Sequence, residues 1–258
     1  MLWSIILGCV KLSSYEFLSG VYDLLMDDAE DDLWSEYLME LLKSKGLHPP
    51  SRIFETACGT GRITLPLAQS GYKLIALDIS EEMLQRAQDK MKSAGATVDF
   101  VSGDMRSFIL PKPVDAVICA CDGINYLVRD NDTIRFFESC NKNLVAGGVL
   151  LFDMGSYNKL TKILGNNVFY DDRDDVTCLW QNRVSKDLLH IGVTLFIKEA
   201  NLYRRMDEEH IQRAYKIKKI TQIMQQSGFG SIQKFKFRTK NEAKDEDERI
   251  QFLAVKER

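Results

Sequence analysis

The 258 residues lack the marks of several large function classes. No basic run carries interleaved aromatics, so nucleic acid finds no electrostatic footprint. The formal net charge is −3, and the richest basic cluster, Lys216-Ile217-Lys218-Lys219, reads as the solvent face of a helix. The six cysteines form no C-x-x-C pair and no Cys/His metal spacing. Free, buried thiols in a reducing cytosol are therefore expected, and no metal is implied. No apolar run reaches the about 20 residues that a membrane-spanning helix needs. The segment Met1 to Val10 is apolar but short, and no Lys or Arg precedes it, so it makes a poor signal peptide. Ile6-Leu7-Gly8-Cys9 likewise lacks the long charged lead of a lipoprotein site. An upstream extension, or a segment packed on the domain, is the expectation there. Internal repeats and low-complexity stretches are missing too. The length suits one large domain, or a domain with an insertion.

What is present is concentrated in Phe54-Glu55-Thr56-Ala57-Cys58-Gly59-Thr60-Gly61-Arg62. This stretch joins a short apolar run, Arg52 to Ala57, to a helix-like run, Arg62 to Ser70. A second apolar run, Lys73 to Ile79, carries Asp78 near its end. The order strand, glycine turn, helix, strand, acid is that of a nucleotide-binding βαβ unit, with the acid roughly 20 residues past the glycines. Gly59 and Gly61 lack Cβ, which permits a sharp turn and a close ligand approach. Asp78 can accept from both hydroxyls of a ribose. A dinucleotide fingerprint needs a third glycine, and here that position is Thr64. Glu55 would repel a pyrophosphate and suit a ligand carrying an amine. A third strand, Val98 to Met105, ends on Asp104. A carboxylate beside a free N–H matches an adenine edge, although an Asp starting a helix reads the same way.

The run Glu55-x-Ala57-Cys58-Gly59-Thr60-Gly61 resembles motif I of the class I S-adenosylmethionine-dependent methyltransferases. The resemblance implies that Tyr15, Tyr22, Glu55, Ala57, Gly59, Gly61, Asp78, Ile79, Asp104, Met105 and Ala120 line S-adenosyl-L-methionine. In it, Asp104 accepts from the adenine amino group and the Met105 amide faces the ring. From Tyr15 onward the plan resembles a small-molecule branch with a β-meander lid, related to the sugar N,N-dimethyltransferases and to the glycine/sarcosine type. Tyr22 to Met26, Asp122 to Leu127 and Glu208 to Tyr215 carry that likeness.

The remaining pattern sets the fold expectation. Ser13 to Met26 and Asp32 to Lys45 read as helices, the second with an apolar stripe of Leu33, Tyr37, Leu38, Leu41 and Leu42. Ser80 is an N-cap for a helix holding Met83, Leu84, Ala87 and Met91. Val114 to Ala120 and Val149 to Asp153 are further strands flanking a helix from Thr133 to Ala146. Val168 to Tyr215 is too long for a loop. It contains three β-like runs, Val176 to Val184, Leu188 to Lys198 and Leu202 to Ala214, with Asp171 to Asp175 as a turn. Ile217 to Gln226 is helical, and Ser231 to Phe237 and Arg249 to Lys256 are the last strands. The fold class is thus α/β, a Rossmann-like doubly wound sheet of seven strands with an inserted antiparallel β-meander lid. The expected division is 13–155 for the cofactor-binding core, 156–215 for the lid and 216–258 for completion of the core.

Methyl transfer from a sulfonium is an in-line displacement, so positioning is the main task and can contribute about 7–11 kcal/mol. Topology puts the residues after strand four beside the methyl group. Asp122 and Tyr126 are catalytic candidates and Asn125 a substrate-binding one; the plainer alternative is that Asp122 caps a turn and Tyr126 packs in the core. His210 is a candidate base. Strand alternation places it with Glu208 and opposite Glu209, Arg213 and Tyr215, unless a bulge intervenes. Arg213 and Tyr215 are candidate substrate contacts, with a surface ion pair the alternative for Arg213. Ala120-Cys121-Asp122-Gly123 has neither the Asn/Asp-Pro-Pro-aromatic motif of exocyclic-amine enzymes nor the Pro-Cys of cytosine C5 enzymes. The expectation is methylation of N or O on a small molecule by a cytoplasmic monomer or homodimer, with no nucleic acid or membrane partner. Two alternatives stay open from sequence: a nicotinamide-dependent oxidoreductase and a non-catalytic cofactor-binding partner protein.

Overall fold

The structure, a computed structural model, describes Tyr15, residues 17–27 and residues 30–257. The apolar segment Met1 to Val10 lies outside the described residues. Of the helix expected from Ser13 to Met26, residues 13, 14 and 16 lie outside the described residues, and the rest holds a 3-10 turn, Leu18–Gly20, followed by a single turn of helix, α1 (Tyr22–Leu25). Gly20, the last residue of the 3-10 turn, is a poor helix former. Helix α2 (Asp31–Ser44) buries Trp34, Tyr37, Leu38, Leu41 and Leu42. Their spacing is one helix face. Leu33, expected in that stripe, is 43% exposed, and Trp34 takes its place.

Strands β1 (Arg52–Thr56), β2 (Lys73–Asp78), β3 (Asp99–Ser102), β4 (Val114–Cys119) and β5 (Leu144–Gly155) alternate with helices α3 (Thr64–Gln69), α4 (Glu81–Ser93) and α5 (Asp130–Asn143). The Ser80 hydroxyl caps α4 by accepting the Met83 N–H at 3.2 Å. An insertion of four antiparallel strands follows: β6 (Val168–Asp172), β7 (Val176–Ser185), β8 (Leu188–Glu199) and β9 (Leu202–Arg213). Helix α6 (Ile217–Gln226) then leads to β10 (Phe229–Lys236) and β11 (Arg249–Lys256). The large sheet has seven strands in the order β10-β11-β5-β4-β1-β2-β3. Strands β1 to β5 pair in parallel, and β11 and β10 join antiparallel.

Strand β1 sits at the switch point, with β2 on one side and β4 on the other. The crevice beyond the carboxyl ends of such strands is where open α/β sheets bind ligands. Both faces of the sheet are covered. Phe54, Phe136, Phe137, Phe152 and Phe252 fill one side, and Leu38, Leu42, Ile53, Leu67 and Ile118 the other.

Strand β6 and the helical turn Lys159–Ile163 are the parts of the 156–215 segment that the sequence pattern hid. Asp171 and Asp172, expected in a turn, pair with Cys178 and Thr177 at the edge of the small sheet. Charged side chains on an edge strand discourage pairing with another chain. The lid's apolar face does not pack on itself. Val176, Cys178, Val193 and Leu195 cluster with Leu18 and Leu25, so the N-terminal segment lies against the lid.

Candidate active site

A cavity of about 340 Å³ opens at the carboxyl ends of β1, β2 and β4. Of the residues expected at the cofactor, Tyr15, Tyr22, Glu55, Ala57, Gly59, Asp78, Ile79, Asp104, Met105 and Ala120 all line it. Gly59 has φ +55 and an open side where a Cβ would sit, so its backbone can be approached closely. Its N–H donates to Asp78 Oδ2 at 2.8 Å, and the Ser80 N–H donates to Asp78 Oδ1 at 2.9 Å. Each carboxylate oxygen keeps a further lone pair for a ligand hydroxyl. Burial raises the Asp78 pKa above the usual value, with the amides of Ser80, Gly59 and Ile79 pulling the other way.

Gly61 has a different task from the one expected. It is not among the lining residues, and a Cβ there would stand 3.1 Å from Met91 Cε and 3.2 Å from Ala87 Cβ. Its bare backbone, at φ +76, lets α4 pack against the turn.

Glu55 is the most informative wall residue. It is 2% exposed, and its Oε2 has no hydrogen-bond partner. Burial lifts its pKa to about 7 against the pull of the nearby Thr64 hydroxyl, with the charge of Asp78 adding to the rise. An orphaned carboxylate oxygen in a cavity is an acceptor waiting for a donor. Asp104 is forked by Arg106, whose Nε lies 2.9 and 2.8 Å from its two oxygens, and this pairing holds its pKa below the ordinary value. With Asp132, four carboxylates therefore face one cavity. Such a wall suits a ligand with a sulfonium and an ammonium group and opposes a pyrophosphate.

The turn after β4 forms the next wall. Cys121 and Asp122 both adopt positive φ, +59 and +63. Residues other than glycine hold that conformation only when their surroundings enforce it. Here Asp153 accepts the N–H of Cys121 at 2.8 Å and of Asp122 at 3.2 Å. Arg249 grips both Asp122 oxygens at 2.8 and 2.7 Å and also binds Asp153. Its guanidinium lies over Trp34 and Phe237, 4.6 and 5.5 Å from the ring centroids. The carboxylate of Asp122 is thus engaged by Arg249, and Asp122 is not among the lining residues, so its expected part in catalysis is not met in this arrangement. Cys121 corrects the expectation of buried thiols, because it is exposed and faces the cavity, whereas Cys58, Cys119, Cys140 and Cys178 are buried.

Asn125, Arg213 and Tyr215 are joints of the lid. Asn125 is fully buried, donates to the carbonyls of Gly155 at 3.1 Å and Arg213 at 2.8 Å, and accepts the Gly155 N–H at 3.0 Å. It therefore staples the chain where it leaves the core to where it returns. Arg213 bridges Asp187 of the β7–β8 turn (2.8 Å) and Asp130 of α5 (2.7 Å), and stacks on Tyr215. The Tyr215 hydroxyl meets Thr133 Oγ1 at 2.7 Å and donates to the Leu127 carbonyl. None of the three lines the cavity, so their expected contact with substrate is not met in this arrangement.

Tyr126 and His210 lie at the lid side. Tyr126 lines the cavity, and its hydroxyl is 2.5 Å from that of Tyr15. His210 is 4% exposed and packs on Tyr15, with ring centroids 4.8 Å apart. It does not line the cavity, and both tyrosines border its ring. Its Nε2 is 3.2 Å from Glu208 Oε2, close enough for charge attraction. The angle closes no hydrogen bond, so both ring nitrogens and that oxygen remain unpartnered. The other Glu208 oxygen accepts the N–H groups of Phe17 and of Leu18, the latter at 2.8 Å. Burial raises the Glu208 pKa, but His210 and the two amides outweigh it, and the net shift is downward. Glu208, His210 and Gln212 occupy the inward face of β9.

Comparison with known proteins agrees with this geometry. A model described as a methyltransferase domain matches residues 53–148. YqeM of Bacillus subtilis (strain 168), a protein provisionally named a methyltransferase, is 34% identical over 94% of this chain and 97% of its own. The chain belongs to the class I S-adenosylmethionine-dependent methyltransferases. A crystal structure of an S-adenosylmethionine-dependent methyltransferase from Clostridium acetobutylicum superimposes with a TM-score of 0.86 at 29% identity, covering 95% of this chain and 100% of that one. CalS10, an amino pentose methyltransferase from Micromonospora echinaspora with S-adenosylmethionine bound, shares the fold with a TM-score of 0.72 at 18% identity, over 92% and 96% of the two chains. The cofactor of this methyltransferase is S-adenosylmethionine, and the oxidoreductase alternative falls.

Cys121, Arg106 and Arg249 escaped sequence reasoning. Cys121 and Arg106 stand one or two residues from recognised motif positions. Arg249 has no local signal, because its partners are 127 and 96 residues away.

Proposed function

We propose that this methyltransferase acts on a nitrogen or oxygen of a small molecule, and that amines are favoured. The observation that carries the amine reading is the charge inventory. Four arginines line or border the cavity walls and lid joints, and each is engaged by a carboxylate: Arg62 by Asp31, Arg106 by Asp104, Arg213 by Asp130 and Asp187, and Arg249 by Asp122 and Asp153. An acidic acceptor would find none of these guanidiniums free, whereas a neutral or cationic acceptor meets the tyrosines of the wall, with His210 and Glu208 buried behind them.

When bound, S-adenosylmethionine supplies an electrophilic methyl group on a good leaving group. Glu55 would hold its amine, Asp78 its ribose hydroxyls, and Asp104 with the Met105 N–H its adenine edge. Tyr15 and Tyr126 orient the acceptor by their hydroxyls, and His210, buried behind both rings in this arrangement, takes the proton of a protonated nucleophile once lid movement exposes a ring nitrogen. The lid and N-terminal segment exclude water while the reacting atoms align. In this reading the partners are small molecules in the cytoplasm. Among the described residues no helix is long and apolar enough to cross a membrane.

A methyl-release assay over matched panels of amines, alcohols and carboxylic acids tests the reading. Turnover confined to amines and alcohols is expected; efficient methyl ester formation from carboxylates would overturn it.

A further inference from the structure

The N-terminal segment covers the cofactor cavity with Tyr15 and Tyr22 and is held from two sides. On the core side, Asp23 pairs with Lys90 at 2.7 Å and accepts from the Thr60 hydroxyl, while Arg62 donates to the carbonyls of Asp23 and Met26. On the lid side, the guanidinium of Arg173 reaches the Leu24 carbonyl and Asp27, and Glu208 on β9 makes a further polar link. Its Oε1 accepts two consecutive backbone N–H groups, from Phe17 and Leu18. Glu208 is 5% exposed. A buried carboxylate is tolerable only when donors of this kind surround it. Those two residues open the 3-10 turn Leu18–Gly20, directly before the helix that carries Tyr22. Two residues earlier, Tyr15 stands at φ +71, a conformation that its surroundings must impose.

We propose that Glu208 is a positioning residue for methyl transfer: its grip on the Phe17 and Leu18 amides makes closure of the cofactor cover depend on the placement of lid strand β9. The acceptor side and the cofactor side are thereby coupled. A lid displaced from the core draws the cover off the cavity, and a seated lid holds Tyr15 against Tyr126 and His210. The inference rests on the cavity being the S-adenosylmethionine site.

The test uses the full-length protein and S-adenosylmethionine itself, comparing wild type, Glu208→Ala, Glu208→Gln, Phe17→Pro and Phe17→Ala. Stopped-flow dissociation of the cofactor is read beside amide hydrogen exchange at Leu18. Glu208→Ala is expected to speed dissociation about 10-fold or more and to abolish Leu18 protection. The amide oxygen of Gln can still accept both N–H groups, so Glu208→Gln restores the dissociation rate to within about threefold of wild type. Phe17→Pro removes one donor while leaving Glu208 itself in place, and Phe17→Ala controls for the packing its ring makes on the lid's apolar cluster; Phe17→Pro covers the case in which Glu208→Ala fails to fold, and it should speed dissociation severalfold beyond Phe17→Ala. Dissociation within twofold of Phe17→Ala in Phe17→Pro, and within twofold of wild type in folded Glu208→Ala, would overturn the proposal while leaving the cofactor site intact. Loss of rescue in Glu208→Gln would overturn it as well. Failure of the wild type to bind the cofactor would remove the site and the coupling together.

Discussion

The two halves of the site handle polarity in opposite ways. On the cofactor half, Glu55 Oε2 is orphaned, and Asp78 is met by two backbone amides that leave room for more. On the lid half, Asp122, Asn125, Arg213 and Tyr215 are engaged by other parts of the same chain. The cofactor half is therefore preorganised for a fixed ligand, and the acceptor half is a set of joints around a small cluster of Tyr15, Tyr126 and His210. Preorganised donors and acceptors favour tight binding, because little must be rearranged. Joints favour movement of whole elements, which suits a lid.

The largest effect should come from cutting the joint behind the acceptor wall. Arg249→Met leaves the buried carboxylate of Asp153 without its cation, a change worth ~3–5 kcal/mol of stability. Denaturant unfolding would measure it, and adding Asp122→Asn and Asp153→Asn should recover most of the loss. If Arg249→Met is neutral, the two halves are less different than described.

Next in size is Asp78→Ala. S-adenosylmethionine affinity by calorimetry should fall about 100-fold, roughly 2.7 kcal/mol. Arg213→Ala, on the other half, should change it less than threefold. Equal losses in both variants would erase the contrast.

Asn125→Ala should cost ~2 kcal/mol, since three buried hydrogen bonds vanish at the neck of the lid. Amide exchange in β7 to β9 should accelerate while cofactor affinity stays near wild type. Lid amides as protected as before would show that the staple is redundant.

The contrast also explains what sequence could reveal. Glu55, Gly59, Asp78 and Asp104 each sit at the end of a short strand, within one continuous stretch, so their spacing is a local signal. All four were legible with their elements. The joints are not local. Arg249 reaches Asp122 across 127 residues, and Asn125 reaches Arg213 across 88. Asn125, Arg213 and Tyr215 were picked out by likeness to a family, but a chain position near the lid does not reveal whether a side chain turns to the cavity or to a joint. The alternation of β9 did place Glu208 and His210 together on the inward face. The carboxylates of strand β6 mimic a turn, and Leu33 and Trp34 differ by only one residue along the helix, so the periodicity alone does not separate their faces.

In the proposed function the cavity is built for a cationic cofactor, and Glu55 is the group that would meet its amine. In the free protein the Glu55 pKa is raised from 4.5 to about 7, so the folded state holds its proton more firmly than the unfolded one. That contribution to stability is complete below about pH 4.5 and is lost as pH rises through about 7. A bound ammonium would reverse the preference and drive the proton off. Calorimetry of S-adenosylmethionine binding at pH 6, in two buffers of different ionisation enthalpy, should therefore report net release of protons. Glu55→Gln should abolish that release. Binding without proton release in the wild type, or equal release in the variant, would contradict the account.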